Sequence, residues 1–155
     1  MDSPSSFLRV ATADDGAQLL YLWGLLFDED GVHDDEPWRS HARKWFARYV
    51  DDSDAARFPV IDRGGEIVAT AIGTLELGVP NPMCPRGRTV RLANVITVPQ
   101  HRGCGYGTLL VADVIEWAKS INADRVDLSS TEEGRRLYDK AGFVLTSAPR
   151  MKLVL

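Results

Sequence analysis

The stretch from residue 89 to residue 130 constrains the fold more than any other part of the chain, because it predicts a strand, a helix and a second strand in succession. The apolar run TVRLANVITV ends at Pro99, which has no backbone donor and so marks where sheet pairing stops. Residues 109–121 then carry apolar side chains at helical spacing, and RVDLSS predicts another strand. This succession is typical of a crossover in a mixed α/β fold.

Hydrophobic periodicity predicts further elements on both sides of this crossover. Before it we expect a strand over FLRVA, two helices, and a hairpin of RFPVID and EIVATAIGTLELG around Arg63-Gly64-Gly65. After it we expect a helix stopped by Gly142 and a closing pair of strands, FVLTS and RMKLVL. The predicted order is β-α-α-β-β-β-α-β-α-β-β. We expect one domain over residues 1–155, with a flexible start at residues 1–6.

Composition excludes several classes of partner. The chain has 155 residues, 18 basic and 22 acidic, with a net charge of −4, which gives no electrostatic footprint for nucleic acid or an anionic membrane. No apolar run reaches the roughly 18 residues that cross a bilayer, and MDSPSSFLRV lacks the features of a signal peptide. We therefore expect a cytoplasmic protein. Cys84 and Cys104 do not have CxxC spacing, so no metal site is expected.

The segment between the strand and the helix, QHRGCGYG, predicts a binding site for an anion. Gly103, Gly105 and Gly107 let the backbone approach a ligand with no Cβ in the way, and Arg102 adds charge at the rim. The first N–H groups of a helix have no partners within it, and the helix dipole adds to their attraction. The glycine spacing fits neither a dinucleotide fingerprint nor a P-loop. We infer a pyrophosphate site, with a plain tight turn as the alternative.

The string Gln100-His-Arg-Gly-Cys-Gly105 resembles the Q/R-x-x-G-x-G/A signature of the GNAT superfamily of acetyl-CoA-dependent N-acetyltransferases. RVDLSSTEEGRRLYDKAGFV resembles the later strand-helix-strand stretch of the same family. The resemblance implies a mixed, mostly antiparallel, twisted sheet of about 6–7 strands flanked by about four helices. It also implies acetyl-CoA as co-substrate, with no metal. Pantetheine contacts are then expected from Ile96, Thr97 and Val98, and pyrophosphate contacts from Arg102, Gly103, Cys104, Gly105, Tyr106, Gly107 and Thr108.

Acetyl transfer to an amine needs a proton acceptor, a donor to the developing oxyanion, and an acid for the departing thiolate. The resemblance implies a backbone N–H near Val98 as the oxyanion donor and Tyr138 as the acid. Some family members carry a glutamate where this chain has Asn94, and an amide cannot accept the proton. Glu76 is the first candidate for the base, although an ordinary exposed carboxylate is the alternative. Waters leading to acidic residues in segment 28–36 are a second route.

The segment DEDGVHDDE, residues 28–36, carries six carboxylates. A site that attracts a cationic substrate is the functional interpretation of this charge, and an ordinary solvated loop is the alternative. We therefore expect an enzyme that moves acetyl from acetyl-CoA to a primary amine of a small, cationic molecule by direct attack in a ternary complex. A protein N-terminus or lysine is the alternative acceptor. A non-catalytic acyl-CoA-binding sensor is the alternative of another class, favoured by Asn94. The apolar first helix is compatible with a homodimer.

Overall fold

The computed structural model of the chain describes residues 5–27 and 37–155. Its elements are, in chain order, β1 (Ser6–Val10), α1 (Gly16–Gly24), α2 (Pro37–Tyr49), β2 (Ala56–Arg57), β3 (Pro59–Arg63), β4 (Glu66–Leu77), β5 (Arg88–Thr97), α3 (Tyr106–Ser120), β6 (Arg125–Asp127) and α4 (Arg135–Ala141). The predicted flexible start lies mostly outside the described residues, and Ser6 already belongs to β1. None of the helices in the described ranges has the length and apolarity to span a membrane.

The six strands form one mixed sheet in the order β1-β3-β4-β5-β6, with β2 paired to β4. Every pair is antiparallel except β5 and β6, which are parallel. Parallel neighbours need a long connection, and α3 supplies it, so the predicted crossover is confirmed. The predicted mixed, mostly antiparallel sheet with four helices is confirmed as well.

The core lies where α1, α2 and α3 pack on the central strands. Trp23, Phe46 and Phe58 form an aromatic cluster with edge-on contacts, and all three are buried. On α3, Val114 and Trp117 approach β4 so closely that only Gly73 fits beneath them, because a Cβ there would stand 2.8 Å from Val114 Cγ1. This close packing positions the start of α3 against the end of β5.

An arginine joins the start of α1 to the edge of the sheet. Arg9 on β1 donates to both carboxylate oxygens of Asp15, at 2.8 and 3.0 Å, and to Asp62 at 3.0 Å. The Asp15 carboxylate also accepts from the Thr12 N–H at 2.7 Å, which fits the helix-capping role of an acidic residue at this place. These bonds hold the pKa of Asp15 below its usual range, with the Arg9 hydrogen bond as the largest cause.

The closing pair of strands is the part of the predicted order that is wrong. Residues 143–155 form no strand and make no backbone ladder within the described chain. All buried residues of the described ranges lie between Ala11 and Ala118, and none of residues 119–155 is buried. The apolar alternation that predicts these strands is therefore present, but the other described residues do not cover it.

Candidate active site

The site lies where β5 and β6 separate. The two strands pair only from Thr89 and Arg125 to Arg91 and Asp127, whereas β5 continues to Thr97. Residues 92–97 therefore have no strand partner on this side among the described residues, and we call the resulting gap the wedge. Such an edge offers unpaired N–H and C=O groups to an extended ligand.

Arg91 fixes the point where the wedge opens. Its guanidinium donates to Asp127 Oδ1 at 3.2 Å and to Ser129 Oγ at 2.9 Å, so one β5 side chain holds both the last residue of β6 and the chain just beyond it. The Asp127 side chain is 43% exposed, and the pair lies within reach of solvent. We infer a geometric role for these contacts, because ion pairs this exposed stabilise a fold little.

A β-bulge bends β5 beside the wedge. Thr70 pairs with Ile96 and Ile72 pairs with Ala93, so two residues of β5, Asn94 and Val95, oppose one residue of β4. Asn94 has a φ of 51°, in the left-handed region that asparagine tolerates better than other residues with a Cβ. Asn94 thus has a backbone role that sequence reasoning missed. An asparagine inside a β-branched run, where it is disfavoured, was the available signal.

The strand end presents Thr97 to the wedge. The Val98 N–H donates to Val68 O on the β4 side at 2.9 Å. Because successive residues of a strand direct their N–H groups to opposite sides, the Thr97 N–H and C=O face the wedge. Ile96 and Val98 are both buried. Of the three residues predicted to contact pantetheine, Thr97 is therefore the one whose main-chain groups face the wedge. The Val98 N–H already donates to Val68 O, so the N–H that could serve a ligand at this place is that of Thr97.

The glycine loop after Pro99 forms an open cup of backbone donors. Gly103 and Gly105 both have a φ of 80°, and a Cβ built on either would meet no atom of the described structure within 4 Å. Within the described ranges, no carbonyl or side chain accepts from the N–H groups of residues 103–108. An anion placed there would meet several donors and the positive end of α3.

The other predicted loop residues contribute in different ways. The Arg102 side chain turns back and its Nε donates to Thr97 O at 3.4 Å, so its charge lies near the strand end. Cys104 is exposed on the loop and Thr108 is exposed in the first turn of α3, whereas the Tyr106 ring is buried and only its main chain is available. Gly107 allows α4 to approach, since a Cβ there would stand 3.1 Å from Leu137 Cδ2.

Tyr138 lies on α4, next to Leu137, the residue that packs against Gly107 of α3. Its ring packs edge-on against Phe143, with centroids 5.9 Å apart, and Leu137 beside it meets Gly107. Partial burial of the side chain raises the pKa of the Tyr138 hydroxyl above its usual value. The phenol therefore stays protonated at neutral pH and is able to donate a proton.

The structure does not bring Glu76 to the wedge. Glu76 is exposed and pairs with Thr89, which lies three residues before the wedge begins and eight residues, or roughly 26 Å of strand, before Thr97. The other acidic candidates, in segment 28–36, lie outside the described residues. Across the described part of the chain, no group of three or more His, Cys, Asp or Glu side chains could hold a metal ion.

Comparison with known proteins adds to this geometry. A family model described as the acetyltransferase (GNAT) family matches residues 13–143. Glucosamine 6-phosphate N-acetyltransferase of Trypanosoma brucei brucei is 32% identical over 73 residues, which are 46% of this chain and 50% of that protein, so the chain spans about half the length of this relative.

Two solved structures share the fold. A predicted acetyltransferase with acetyl-CoA from Clostridium acetobutylicum has a TM-score of 0.85 at 21% identity, over 97% of this chain and 96% of that chain. Glucosamine-6-phosphate N-acetyltransferase from Arabidopsis thaliana has a TM-score of 0.76 at 20% identity, over 96% of this chain and 98% of that chain.

Proposed function

The chain belongs to the acetyltransferase (GNAT) family and is an acyltransferase, and from that premise we propose that it moves acetyl from acetyl-CoA to a primary amine of a small, cationic molecule. The observation that carries the proposal is the open cup of unpaired N–H groups at residues 103–108, next to the free edge of β5. A diphosphate fits the cup and an extended amide-bearing arm fits the edge.

Binding of the co-substrate rests mainly on backbone groups. We propose that the N–H groups from Gly103 to Thr108 hold the pyrophosphate, while the Thr97 C=O accepts a hydrogen bond from an amide of the pantetheine arm. Acetyl-CoA supplies the activated acetyl group and a thiolate as leaving group. Fixed donors of this kind need no reorganisation on binding, and they orient the thioester within the wedge.

Two groups of the chain serve the transfer step in this proposal. The Thr97 N–H, which faces the wedge, donates to the oxyanion that forms on the acetyl carbonyl as the amine attacks. Tyr138 donates its proton to the departing sulfur, and its raised pKa keeps that proton in place at neutral pH. The neutral amine attacks directly, with both substrates bound: the C–N bond forms, the C–S bond breaks, the proton lost by the nitrogen passes to water, and water returns a proton to Tyr138.

The class of acceptor follows from two facts. The relative from Trypanosoma brucei brucei is described as an N-acetyltransferase of glucosamine 6-phosphate, a small molecule with a primary amine. The six carboxylates of segment 28–36 favour a positively charged acceptor over an anionic one. The relative supports a small molecule with a primary amine as acceptor, and the carboxylates support the positive charge of that acceptor.

The test of the activity is a panel of acceptors. Purified protein, acetyl-CoA and one amine at a time would be followed by thiol release, using polyamines, amino sugars, an amino sugar phosphate and a peptide with a free N-terminus. We expect the highest kcat/KM with a cationic small amine. If the peptide reacts faster than the small amines, the acceptor is a protein and the proposed acceptor is wrong. If no amine raises the rate of thiol release above the blank, the chain is a binding protein without turnover.

Tyr138→Phe separates an enzyme from a sensor. We expect kcat to fall about 100-fold or more, because that is the usual contribution of a general acid, while the coenzyme A dissociation constant stays nearly unchanged. Tyr21→Phe is the matched control, since Tyr21 is a partly exposed tyrosine on α1. Equal rates for both variants would contradict the role of Tyr138.

A further inference from the structure

Two arginine side chains meet on one hydroxyl group where the wedge opens. Ser129 Oγ accepts from Arg91 Nη2 at 2.9 Å and from Arg150 Nη1 at 3.1 Å, and we call these three residues the arginine cluster. Among the described residues, Asp127 is the one carboxylate that forms an ion pair with either guanidinium, at 3.2 Å from Arg91. Like charges repel, so two guanidinium groups beside a single carboxylate attract a further anion.

The arginine cluster lies on the sheet face opposite to α3. Gly73 faces α3, because a Cβ there would stand 2.8 Å from Val114 Cγ1. Arg91 pairs with the residue that follows Gly73 on β4, and successive residues of a strand project to opposite faces. Residues 68–71 of β4 are all buried, so helices cover both faces of the sheet there, and α1, which contacts β4 and β5, takes the face that α3 leaves. The guanidinium of Arg91 therefore projects to the face of α1.

The charges around the site define the class of acceptor that fits it. Segment 28–36 connects α1 to α2, and its six carboxylates favour an acceptor with a positive net charge. An arginine pair binds the oxygens of a carboxylate or a phosphate through charge-assisted hydrogen bonds. A phosphate monoester carries about 1.5–2 negative charges at neutral pH and would cancel the charge of one or two amines. A carboxylate carries a single charge, so a molecule with two amines and one carboxylate remains a cation.

We propose, on the basis of the proposed function, that the arginine cluster binds a carboxylate of the acceptor, and that the acceptor is a diamino acid, a small molecule with two amines and one carboxylate. The carboxylate accepts from both guanidinium groups, and the Ser129 hydroxyl donates its own proton to it. With the carboxylate fixed at the point where the wedge opens, one amine extends into the wedge, where the thioester is proposed to lie, and the other amine remains charged.

The first test compares acceptors that differ only at the carboxylate. Lysine, ornithine and diaminobutyrate would each be assayed beside the corresponding amide, with thiol release from acetyl-CoA as the readout. We expect at least one acid to exceed its amide about tenfold or more in kcat/KM, because the amide loses a charge-assisted contact. An acid that reacts no faster than its amide in every pair, or a higher rate with an amino sugar phosphate, would overturn the carboxylate subsite and leave the acetyltransferase proposal standing. No reaction with any amine would overturn both.

The second test removes one guanidinium from the arginine cluster. Arg150 is exposed, so Arg150→Gln leaves the interior untouched. We expect the ratio of acid to amide kcat/KM to fall about tenfold, and the dissociation constant of the preferred acid, measured by calorimetry with the coenzyme A-loaded chain, to rise by a similar factor. Arg86→Gln is the matched control, because Arg86 is also exposed and donates one side-chain hydrogen bond, to Asn122 O at 3.4 Å. An unchanged ratio and dissociation constant in Arg150→Gln, or equal losses in the two variants, would refute the subsite.

Discussion

Gly105→Ala tests whether the loop binds through its backbone. Gly105 has a φ of 80°, so an alanine there costs about 1–2 kcal/mol of stability from left-handed strain alone. The new methyl meets no protein atom within 4 Å of the described structure, so the fold itself has room for it. The methyl would instead stand in the cup of N–H groups where the pyrophosphate is proposed to bind.

The expected loss of affinity follows from the bonds displaced. A hydrogen bond to a charged group is worth about 1.5–3 kcal/mol, so losing one N–H contact to phosphate corresponds to about 10- to 150-fold in the dissociation constant. Gly65→Ala is the matched control, because Gly65 has a φ of 90°, equally open surroundings and a place in the β3–β4 turn. Both variants should lose similar stability in urea denaturation.

Calorimetry with coenzyme A separates the two variants. We expect Gly65→Ala to bind coenzyme A as the unmodified chain does, and Gly105→Ala to bind it at least about tenfold more weakly. If Gly105→Ala, still folded, binds as tightly as Gly65→Ala, the pyrophosphate does not lie in this cup, and the placement of the thioester in the wedge is wrong with it.

Three further changes test the scaffold around the site. Asn94→Val should cost about 1–2 kcal/mol in urea denaturation, because valine resists the left-handed bulge, whereas Asn94→Gly should cost little; equal losses would refute the backbone role. Gly73→Ala should lower stability by about 1–3 kcal/mol through the 2.8 Å contact with Val114, and Gly73→Ala/Val114→Ala should cost less than the two changes added together. Asp15→Asn should cost about 1.5–3 kcal/mol at pH 7. Arg9 lowers the pKa of Asp15 in the folded state, so the stability difference between the unmodified chain and Asp15→Asn should be largest above about pH 3.9, the usual pKa of an unfolded Asp. The difference should shrink as the pH falls through the pKa of Asp15 in the folded state. A stability difference that does not change with pH would contradict this role of Asp15.

The elements next to the site were predictable because local chemistry marks their ends. Pro99 stops β5, left-handed Gly105 precedes α3, and Gly142 ends α4 with a φ of 98°. These residues restrict the backbone by themselves, so their effect does not depend on distant partners. The mixed sheet with its single crossover followed from the order of such segments.

The parts that sequence reasoning missed depend on register and on partners. The bulge at Asn94 and the distance of Glu76 from the wedge are both set by which residues of β4 and β5 pair, and a register is not encoded locally. The closing strands were predicted from a correct apolar alternation. A strand forms only where its backbone pairs with a neighbouring edge, and residues 143–155 pair with none of the described strands.

The distribution of buried residues has a consequence for synthesis of the protein. Every buried residue of the described ranges precedes residue 119, and the later segments add only partly buried apolar side chains such as Val126, Leu137 and Phe143. The backbone donors of the site, at Thr97 and residues 103–108, are therefore synthesised together with the buried interior, whereas β6 and the proposed proton donor Tyr138 follow them along the nascent chain.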